Sequence, residues 1–179
     1  KKMDDIDRWT FPGEGYYYHT STEKESLFKV YDYLKNNNIK ALILDVDNTM
    51  LDTRLNMVEG LLEWHEKIVK AGIKTMIVSN SNKKEKLDSI SGKLNVEYIR
   101  LATKPLKRGF IKAQKMLQIP FENIAAIGDQ IFTDVIGANR VKMYSILVKP
   151  LAEKDLWMTR FKRPIEELVI KNYLKKIGG

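Results

Sequence analysis

The stretch that decides the fold is residues 40–52, KALILDVDNTMLD, in which a short apolar run ends in two aspartates. Residues 41–44 are continuously apolar, which is typical of a strand that is buried on both faces of a parallel sheet. Ligands of such sheets bind beyond the carboxyl ends of the strands. Asp45 and Asp47 follow this run directly, so they are the first candidates for a functional site.

Further apolar runs alternate with segments of helical periodicity along the rest of the chain. The runs are residues 75–78, 98–101, 124–127 and 145–148, and the helical segments are 58–70, 83–94, 107–117 and 133–141. Strands that alternate with single helices over short connections indicate a parallel sheet with right-handed crossovers. The predicted fold class is α/β, a Rossmann-like five-stranded parallel sheet with helices on both faces.

Two segments flank this alternation. Thr22 and Glu25 form a capping-box pattern that predicts the start of an amphipathic helix, and the residues before them are rich in aromatics without clear periodicity. Near the other end, an apolar face recurs at helical spacing from Pro164 to Ile177. We predict one domain over residues 1–179, with a catalytic core at about 39–150, an N-terminal extension and helix at 1–38, and a C-terminal helical segment at 151–179.

The composition excludes several classes of protein. Of the 179 residues, 44% are hydrophobic and 30% are charged, which argues against a disordered or collagen-like chain. Cysteine is absent, so disulfide scaffolds, thiolate zinc sites and cysteine nucleophiles are excluded. No apolar stretch approaches the roughly 20 residues that cross a bilayer. We expect a cytoplasmic protein, at most peripheral on the inner face of a membrane, with the mitochondrial matrix as an open alternative.

The net charge of +8 indicates an anionic partner, which could be nucleic acid, acidic lipid or a phosphorylated small molecule. Residues 98–121 contain no acidic side chain but six basic ones: Arg100, Lys104, Lys107, Arg108, Lys112 and Lys115. This stretch and the basic C-terminal segment either face an anionic membrane or form ordinary solvated and packed helix faces. No nucleic-acid motif is recognisable, which leaves an RNA-binding or ribosome-binding module as the weakest alternative.

Polar side chains also follow the later apolar runs. Ser79 and Asn80 follow the second run, Lys104 lies after the third, and Asp129 and Asp134 follow the fourth. Because the carboxyl ends of parallel strands meet at one edge of the sheet, these groups should converge with the two aspartates of the first strand. Carboxylate oxygens suit Mg²⁺, and the hydroxyl and ammonium groups suit a phosphate. The sequence therefore predicts a magnesium and phosphate site at this edge.

In this order, the motifs resemble those of the haloacid dehalogenase superfamily. Asp45 and Asp47 match its DxDxT signature, Ser79 and Lys104 match its hydroxyl and lysine motifs, and residues 128–134 match its GDxxxxD motif. Residues 128–150, GDQIFTDVIGANRVKMYSILVKP, are similar to the class IIIA branch, which includes the mitochondrial phosphatidylglycerophosphate phosphatases. The resemblance covers about two thirds of the chain.

The resemblance implies a magnesium-dependent phosphatase with a phospho-aspartate intermediate. Asp45 would attack phosphorus, and Asp47 would protonate the leaving alkoxide and then activate water. Magnesium would be held by Asp45, Asp47 and Asp129, with Asp134 supporting these ligands, and the phosphate would be bound by Ser79, Asn80 and Lys104. The chemistry needs these residue types, because phosphoryl transfer depends on positioning and charge neutralisation, and hydrolysis of an acyl phosphate needs a base close by.

The spacing of the motifs leaves no room for a large cap domain. Asp52 to Gly72 covers 21 residues and Ser81 to Thr103 covers 23, enough only for a loop with a helix and for a helix with a strand. We therefore expect an open site, and capless relatives by resemblance act on large substrates or use a neighbouring subunit as a lid. A phosphatidylglycerophosphate-like lipid headgroup is our first expectation for the substrate. A soluble sugar phosphate, nucleotide or other small phosphate is the alternative.

Overall fold

The computed structural model describes residues 15–18, 24–148 and 150–151 of the chain. The strands are Gly15–Tyr18 (β1), Ala41–Leu44 (β2), Lys74–Val78 (β3), Tyr98–Ile99 (β4), Ile124–Gly128 (β5) and Tyr144–Val148 (β6). The α-helices are Lys24–Asn36 (α1), Leu61–Lys70 (α2), Lys84–Leu94 (α3), Lys107–Leu117 (α4) and Ile136–Asn139 (α5). A short 3-10 turn, Phe121–Asn123, precedes β5, and a π-helical turn, Ile131–Val135, precedes α5.

The strands form one parallel sheet in the order β1-β6-β5-β2-β3-β4. The predicted α/β class and all five predicted strands are confirmed, and the sheet has one strand more than predicted. This sixth strand, β1, pairs with β6 at the edge, with Gly15 opposite Ser145 and Tyr18 opposite Val148. Its four residues, GYYY, carry no alternating pattern, and pairing with a strand more than a hundred residues away is a non-local property.

The central strands β2 and β5 position the start of the site. Every residue of both strands is buried, as expected for strands covered on both faces. Ladder pairing continues one residue past β2, because the backbone N–H of Asp45 donates to the carbonyl oxygen of Ile127 at 2.9 Å. The first aspartate of the motif is therefore fixed relative to the neighbouring strand by the backbone itself.

Two apolar cores lie on opposite faces of the sheet. Alternate residues of β2 divide between them: Leu42 and Leu44 face the core under α1, α2 and α3, while Ala41 and Ile43 face the core under α4. Phe110 of α4 is the largest fully buried side chain of the second core. Burial of each such side chain contributes about 1.5–3 kcal/mol. The helices thus cover both faces, as predicted.

The connections at the carboxyl edge of the sheet are short. Residues 45–60 link β2 to α2 as a loop with two isolated bridges, Asp47 to Leu51 and Leu51 to Met57. The connection from β3 to β4 holds only α3. No further domain is inserted at these two points, in agreement with the predicted absence of a large cap.

Other predictions differ in detail or lie outside the described residues. The helix predicted at 133–141 is a π-helical turn followed by the four-residue α5. The aromatic-rich start is described only at β1, and Thr22 and the predicted C-terminal helix from Pro164 lie outside the described part, so the proposed division of the chain stays a prediction. Within the described residues, none of the helices has the length and apolar character to cross a membrane.

Candidate active site

At the centre of the site, a buried ammonium group lies between two carboxylates. The Nζ atom of Lys104 donates to Oδ1 of Asp45 and to Oδ1 of Asp134, both at 2.6 Å. The Lys104 side chain is only 3% exposed. Moving carboxylates out of water costs several kcal/mol each, and this cost is offset only by a partner of good geometry. The arrangement therefore holds Asp45 in a defined position at the end of β2.

The same contacts shift the titration of the buried groups. The pKa of Asp45 is raised to about 6, chiefly by burial. The ammonium of Lys104 lowers this pKa, and the carboxylate of Asp134 raises it. Burial on its own would lower the pKa of Lys104, but the carboxylates of Asp134 and Asp45 outweigh it and raise that pKa. Lys104 is therefore a permanent cation at neutral pH. Any further cation bound beside Asp45 would favour its ionised form.

Three buried carboxylates come together at this point. Asp45, Asp129 and Asp134 each offer an oxygen, and these three oxygens lie within 4.8 Å of one another. Carboxylates this close repel unless cations share them, and oxygen donors suit a hard divalent ion. The group fits a metal site in both chemistry and spacing. Asp134, predicted only to support the ligands, is a member of the group itself.

Asp47 lies at the rim of the site rather than in this group. Its side chain is 52% exposed and forms an ion pair with Lys86, whose own side chain is 7% exposed. Its role as a metal ligand stays a prediction. The sequence reasoning missed Lys86, although its place as the third residue of α3, the helix that follows Ser79, was a usable signal.

The loop after β2 explains why Asp45 and Asp47 separate. The chain turns tightly here, because the backbone N–H groups of Met50 and Leu51 both donate to the carbonyl oxygen of Val46 at 3.0 Å. Asn48 adopts a left-handed conformation, with φ of 57°, inside the turn. The turn moves Asp47 off the line of the strand and towards solvent, while Val46 is fully buried.

Ser79 and Asn80 connect the end of β3 to the lysine loop, which is the connection between β4 and α4 that carries Lys104. Ser79 is buried and its Oγ accepts the backbone N–H of Ser81 at 3.1 Å, which leaves its hydroxyl hydrogen available to a ligand. The side-chain amide of Asn80 forms two hydrogen bonds with the backbone of Lys104. Its Nδ2 donates to the carbonyl oxygen of Lys104 at 3.0 Å, and its Oδ1 accepts the backbone N–H of Lys104 at 2.7 Å. Asn80 thus positions Lys104. Its predicted contact with phosphate stays a prediction.

Gly128 allows Asp134 to approach the end of β5. A Cβ atom at Gly128 would lie 2.3 Å from Cγ of Asp134, so the aspartate side chain packs directly against the glycine backbone. The π-helical turn then holds the carboxylate, since its Oδ2 accepts the backbone N–H of Gln130 at 3.2 Å. Such turns are frequent at functional sites. Asp129 follows Gly128 directly and is buried.

The basic stretch of residues 98–121 divides into two parts. Lys104 is buried at the centre of the site, whereas the other five are exposed: Arg100, Lys107, Arg108, Lys112 and Lys115. The loop between β4 and α4 carries part of this charge to the carboxyl edge of the sheet. Carboxylate, ammonium, hydroxyl and a cation site together make the set of groups that phosphoryl transfer requires.

Comparisons with known proteins point to the same chemistry. The family described as mitochondrial PGP phosphatase matches residues 21–151. The probable phosphatase YqeG of Bacillus subtilis (strain 168) is 38% identical over 144 residues, which cover 80% of this chain and 83% of that protein.

Solved structures share the fold at much lower identity. An uncharacterized protein from Listeria monocytogenes serotype 4b has a TM-score of 0.54 at 19% identity, covering 66% of this chain and 85% of that one. A haloacid dehalogenase-like hydrolase from Xanthomonas campestris has a TM-score of 0.50 at 10% identity, covering 65% and 87%. The sequence matches show that the chain belongs to the mitochondrial PGP phosphatase family and is a phosphatase, and the solved structures show that it shares the fold of a haloacid dehalogenase-like hydrolase.

Proposed function

We propose that this phosphatase is magnesium-dependent, forms a phospho-aspartate on Asp45, and converts phosphatidylglycerophosphate to phosphatidylglycerol. The observation that carries the mechanism is the buried Asp45 carboxylate, held 2.6 Å from the Lys104 ammonium within the group that includes Asp129 and Asp134. The family description supports the choice of substrate.

In the first step, Asp45 acts as the nucleophile. Its Oδ1 is bound to Lys104, so Oδ2 is the oxygen that attacks phosphorus. The bond between phosphorus and the alcohol oxygen breaks, and Asp47 gives its proton to that oxygen as the alcohol leaves. The rim position of Asp47 suits this role, because the leaving alcohol must depart towards solvent. The products are the free alcohol and an aspartyl phosphate.

In the second step, Asp47 works as a base. Its carboxylate takes a proton from water, the resulting oxygen attacks phosphorus, and the bond to Asp45 breaks to release inorganic phosphate. Asp47 is 52% exposed, so water reaches it without rearrangement. Lys104 and the Ser79 hydroxyl stay in place through both steps and offset the charge of the phosphate oxygens.

Asp45, Asp129 and Asp134 would hold the magnesium ion, with Asp47 as a further predicted ligand. When bound, Mg²⁺ supplies positive charge that offsets these carboxylates and the phosphate oxygens. The fit rests on three buried oxygen donors within 4.8 Å and on the absence of thiolate or clustered imidazole donors at this position among the described residues.

The charge around the open edge supports contact with an anionic membrane. Lys107, Arg108 and Lys112 are exposed on α4, which begins just after the lysine loop. Each basic residue close to an anionic lipid surface contributes about 1 kcal/mol to binding. A peripheral protein with its open site facing the surface could reach a lipid phosphate without a cap domain.

A substrate panel tests the proposed activity. The chelator-treated chain should be inactive, and magnesium should restore activity while calcium fails to do so, because calcium tolerates looser coordination. With magnesium, phosphatidylglycerophosphate in vesicles should be turned over with a higher kcat/KM than its water-soluble headgroup analogue, sugar phosphates, nucleotides or phosphopeptides. Activity that survives exhaustive chelation would contradict the metal assignment, and preference for a soluble ester would favour the small-phosphate alternative.

Vesicle sedimentation tests the membrane contact separately. Replacement of Lys107, Arg108 and Lys112 by Glu should weaken binding to anionic vesicles, and added salt should weaken binding of the wild type. A matched control reverses three exposed lysines at the amino edge of the sheet: Lys35, Lys40 and Lys142. Equal loss of binding in both triple variants would show that only net charge matters.

A further inference from the structure

A pocket opens beside the site in a region that none of the motifs covers. Its volume is about 490 Å³, inside the range of about 300–1,000 Å³ that is usual for small-molecule sites. It is lined by Leu55, Lys83, Lys84, Glu85, Lys86 and Ser89. The loop after β2 thus forms one wall, and the beginning of α3 forms the other.

The ion pair of Lys86 places this pocket on the leaving-group side of the reaction. Lys86 lines the pocket, and its ammonium contacts the carboxylate of Asp47. A general acid must come within about 2.6–3.2 Å of the oxygen that it protonates. With Asp47 as the proposed acid, the alcohol released from phosphorus lies next to Asp47, on the side where Lys86 lines the pocket.

The charges of the pocket favour an anion. Among the described residues, Lys83 forms no ion pair, and Lys84 pairs only with Asp88, at 2.7 Å, through side chains that are 67% and 45% exposed. Exposed pairs of this kind contribute little and exchange easily. Glu85 is the one acidic residue in the lining. Two lysines are thus available to a bound negative group.

Leu55 adds an apolar surface to the same pocket. Its side chain is 58% exposed, and its backbone has φ of 66°, a left-handed conformation that is uncommon for residues other than glycine. Asp52 holds this loop, because its Oδ1 accepts the backbone N–H groups of Arg54 and Asn56, both at 2.8 Å. The pocket therefore combines a cationic wall with a small apolar wall.

We propose that this pocket binds a second anionic group carried by the leaving alcohol, so that Lys83 and Lys84 select phosphomonoesters of alcohols bearing a phosphodiester or a second phosphate. The inference rests on the proposed function, since it uses Asp47 as the acid for the leaving group. A phosphodiester carries one negative charge and a second phosphate carries up to two, and both present charged phosphate oxygens that exposed ammonium groups recognise.

Kinetics on three matched esters test the selection. Hydroxypropyl phosphate carries no second anion, propanediol bisphosphate carries a second phosphate, and the methyl diester of that bisphosphate carries a phosphodiester. The wild type should show a higher kcat/KM for at least one anionic ester than for hydroxypropyl phosphate. The ratio to follow is kcat/KM for the anionic ester divided by kcat/KM for hydroxypropyl phosphate. The Lys83→Gln/Lys84→Gln variant should lower this ratio by about fivefold, the effect expected of two exposed ionic contacts. Preference for the diester would point to a lipid headgroup, and preference for the bisphosphate to a soluble substrate.

Two further variants make the kinetic test specific. Lys93→Gln removes an exposed lysine from the last turn of the same helix, away from the pocket lining, and should leave the ratio unchanged. Asp88→Asn releases Lys84 from its ion pair and should raise the ratio. A wild-type ratio near one for both anionic esters, or an equal fall in the Lys93→Gln variant, would overturn the proposal.

A binding measurement separates this inference from the proposed function. Glycerophosphoglycerol contains a phosphodiester but no phosphomonoester, so its binding needs no turnover. Its addition should shift the backbone amide NMR signals of residues 83–89 in the wild type, and Lys83→Gln/Lys84→Gln should reduce these shifts. Shifts in this segment would support the pocket even if no lipid phosphate were hydrolysed. Their absence would overturn the pocket even if hydrolysis were efficient.

Discussion

The interior and the rim of the site differ although both are built from the same motif. Asp45 has a side chain that is 10% exposed and binds Lys104, which is 3% exposed. Asp47, two residues later, is 52% exposed and binds Lys86. A buried carboxylate depends strictly on its cation, whereas a carboxylate that is half exposed, such as that of Asp47, can be solvated by water instead. The proposed nucleophile, Asp45, is therefore held by buried contacts, and the proposed acid and base, Asp47, is left accessible to water and to the leaving group.

Substitution of the two aspartates gives the largest expected effect. Asp45→Asn should lower kcat on the order of 10,000-fold, because the amide keeps the shape of the carboxylate but cannot attack phosphorus. Asp47→Asn should lower kcat by about 100-fold to 1,000-fold, because it removes the proton transfers but leaves the nucleophile in place. Steady-state rates with magnesium, on protein shown to be folded by circular dichroism, measure both.

Acid quenching distinguishes the two losses further. A radiolabelled phosphate should remain bound to the Asp47→Asn protein, since the acyl phosphate forms but loses its base for hydrolysis. The Asp45→Asn protein should retain none. Retention of label by the Asp45→Asn protein, or equal losses of rate, would contradict the division of roles between interior and rim.

Substitution of Lys104 and of Lys86, each in turn, compares how much the two ion pairs contribute to the free energy of unfolding. Lys104→Met should lower the free energy of unfolding by about 3–5 kcal/mol, because it leaves the buried carboxylates of Asp45 and Asp134 without their cation. Lys86→Met should cost less than about 1 kcal/mol, because Asp47 can be solvated instead. Urea unfolding at neutral pH in the presence of chelator measures both values.

A second substitution tests the cause of the Lys104 effect. Asp134→Asn, added to Lys104→Met, should recover part of the lost stability, because one of the two opposed carboxylates is gone. If the double variant is less stable than Lys104→Met alone, the loss arises from packing and not from charge.

Substitution of Gly128, which contacts Asp134, should give the next largest loss of activity. In Gly128→Ala the new methyl group would lie 2.3 Å from Cγ of Asp134, so the aspartate and the Lys104 contact must move. A displacement of about 1 Å in such a site can lower the rate by about 100-fold. Gly92→Ala is the matched control, since its added methyl group meets nothing within 4 Å. A rate in Gly128→Ala equal to that of the control would show that the position of Asp134 is unimportant.

The sequence predicts the interior of the site better than its rim. The bounds of β2 and α4 agree with the prediction, because continuous apolar runs and helical periodicity are local properties. Strand-end residues also converge by topology alone, which is why Asp45 and Lys104 were predictable. The pair of Asp47 with Lys86 depends on a turn and on side-chain direction across 39 residues, which no local pattern encodes. The contact of Asp134 with Lys104 similarly depends on a π-helical turn.

The smallest expected effect concerns His65, a buried polar residue of α2 that belongs to neither the interior pair nor the rim pair. Its Nε2 shares a hydrogen bond of 2.7 Å with the hydroxyl of Thr75, and burial lowers the pKa of His65 below its ordinary value of 6.5. The unfolded chain therefore binds more protons than the folded chain when the pH lies between the two pKa values. This contribution to stability is complete above about pH 6.5 and is lost as the pH falls towards the lowered pKa.

Urea unfolding at a series of pH values, compared between wild type and His65→Gln, isolates this term. Glutamine keeps a hydrogen-bonding group for Thr75 but does not titrate, and Asp45, whose pKa of about 6 falls in the same range, is common to both proteins. The difference in free energy of unfolding between the two should be constant above neutral pH. As the solution becomes more acidic, the wild type should lose more free energy of unfolding than His65→Gln. A difference that stays constant down to pH 5 would show that His65 takes up its proton in the folded chain as readily as in the unfolded one.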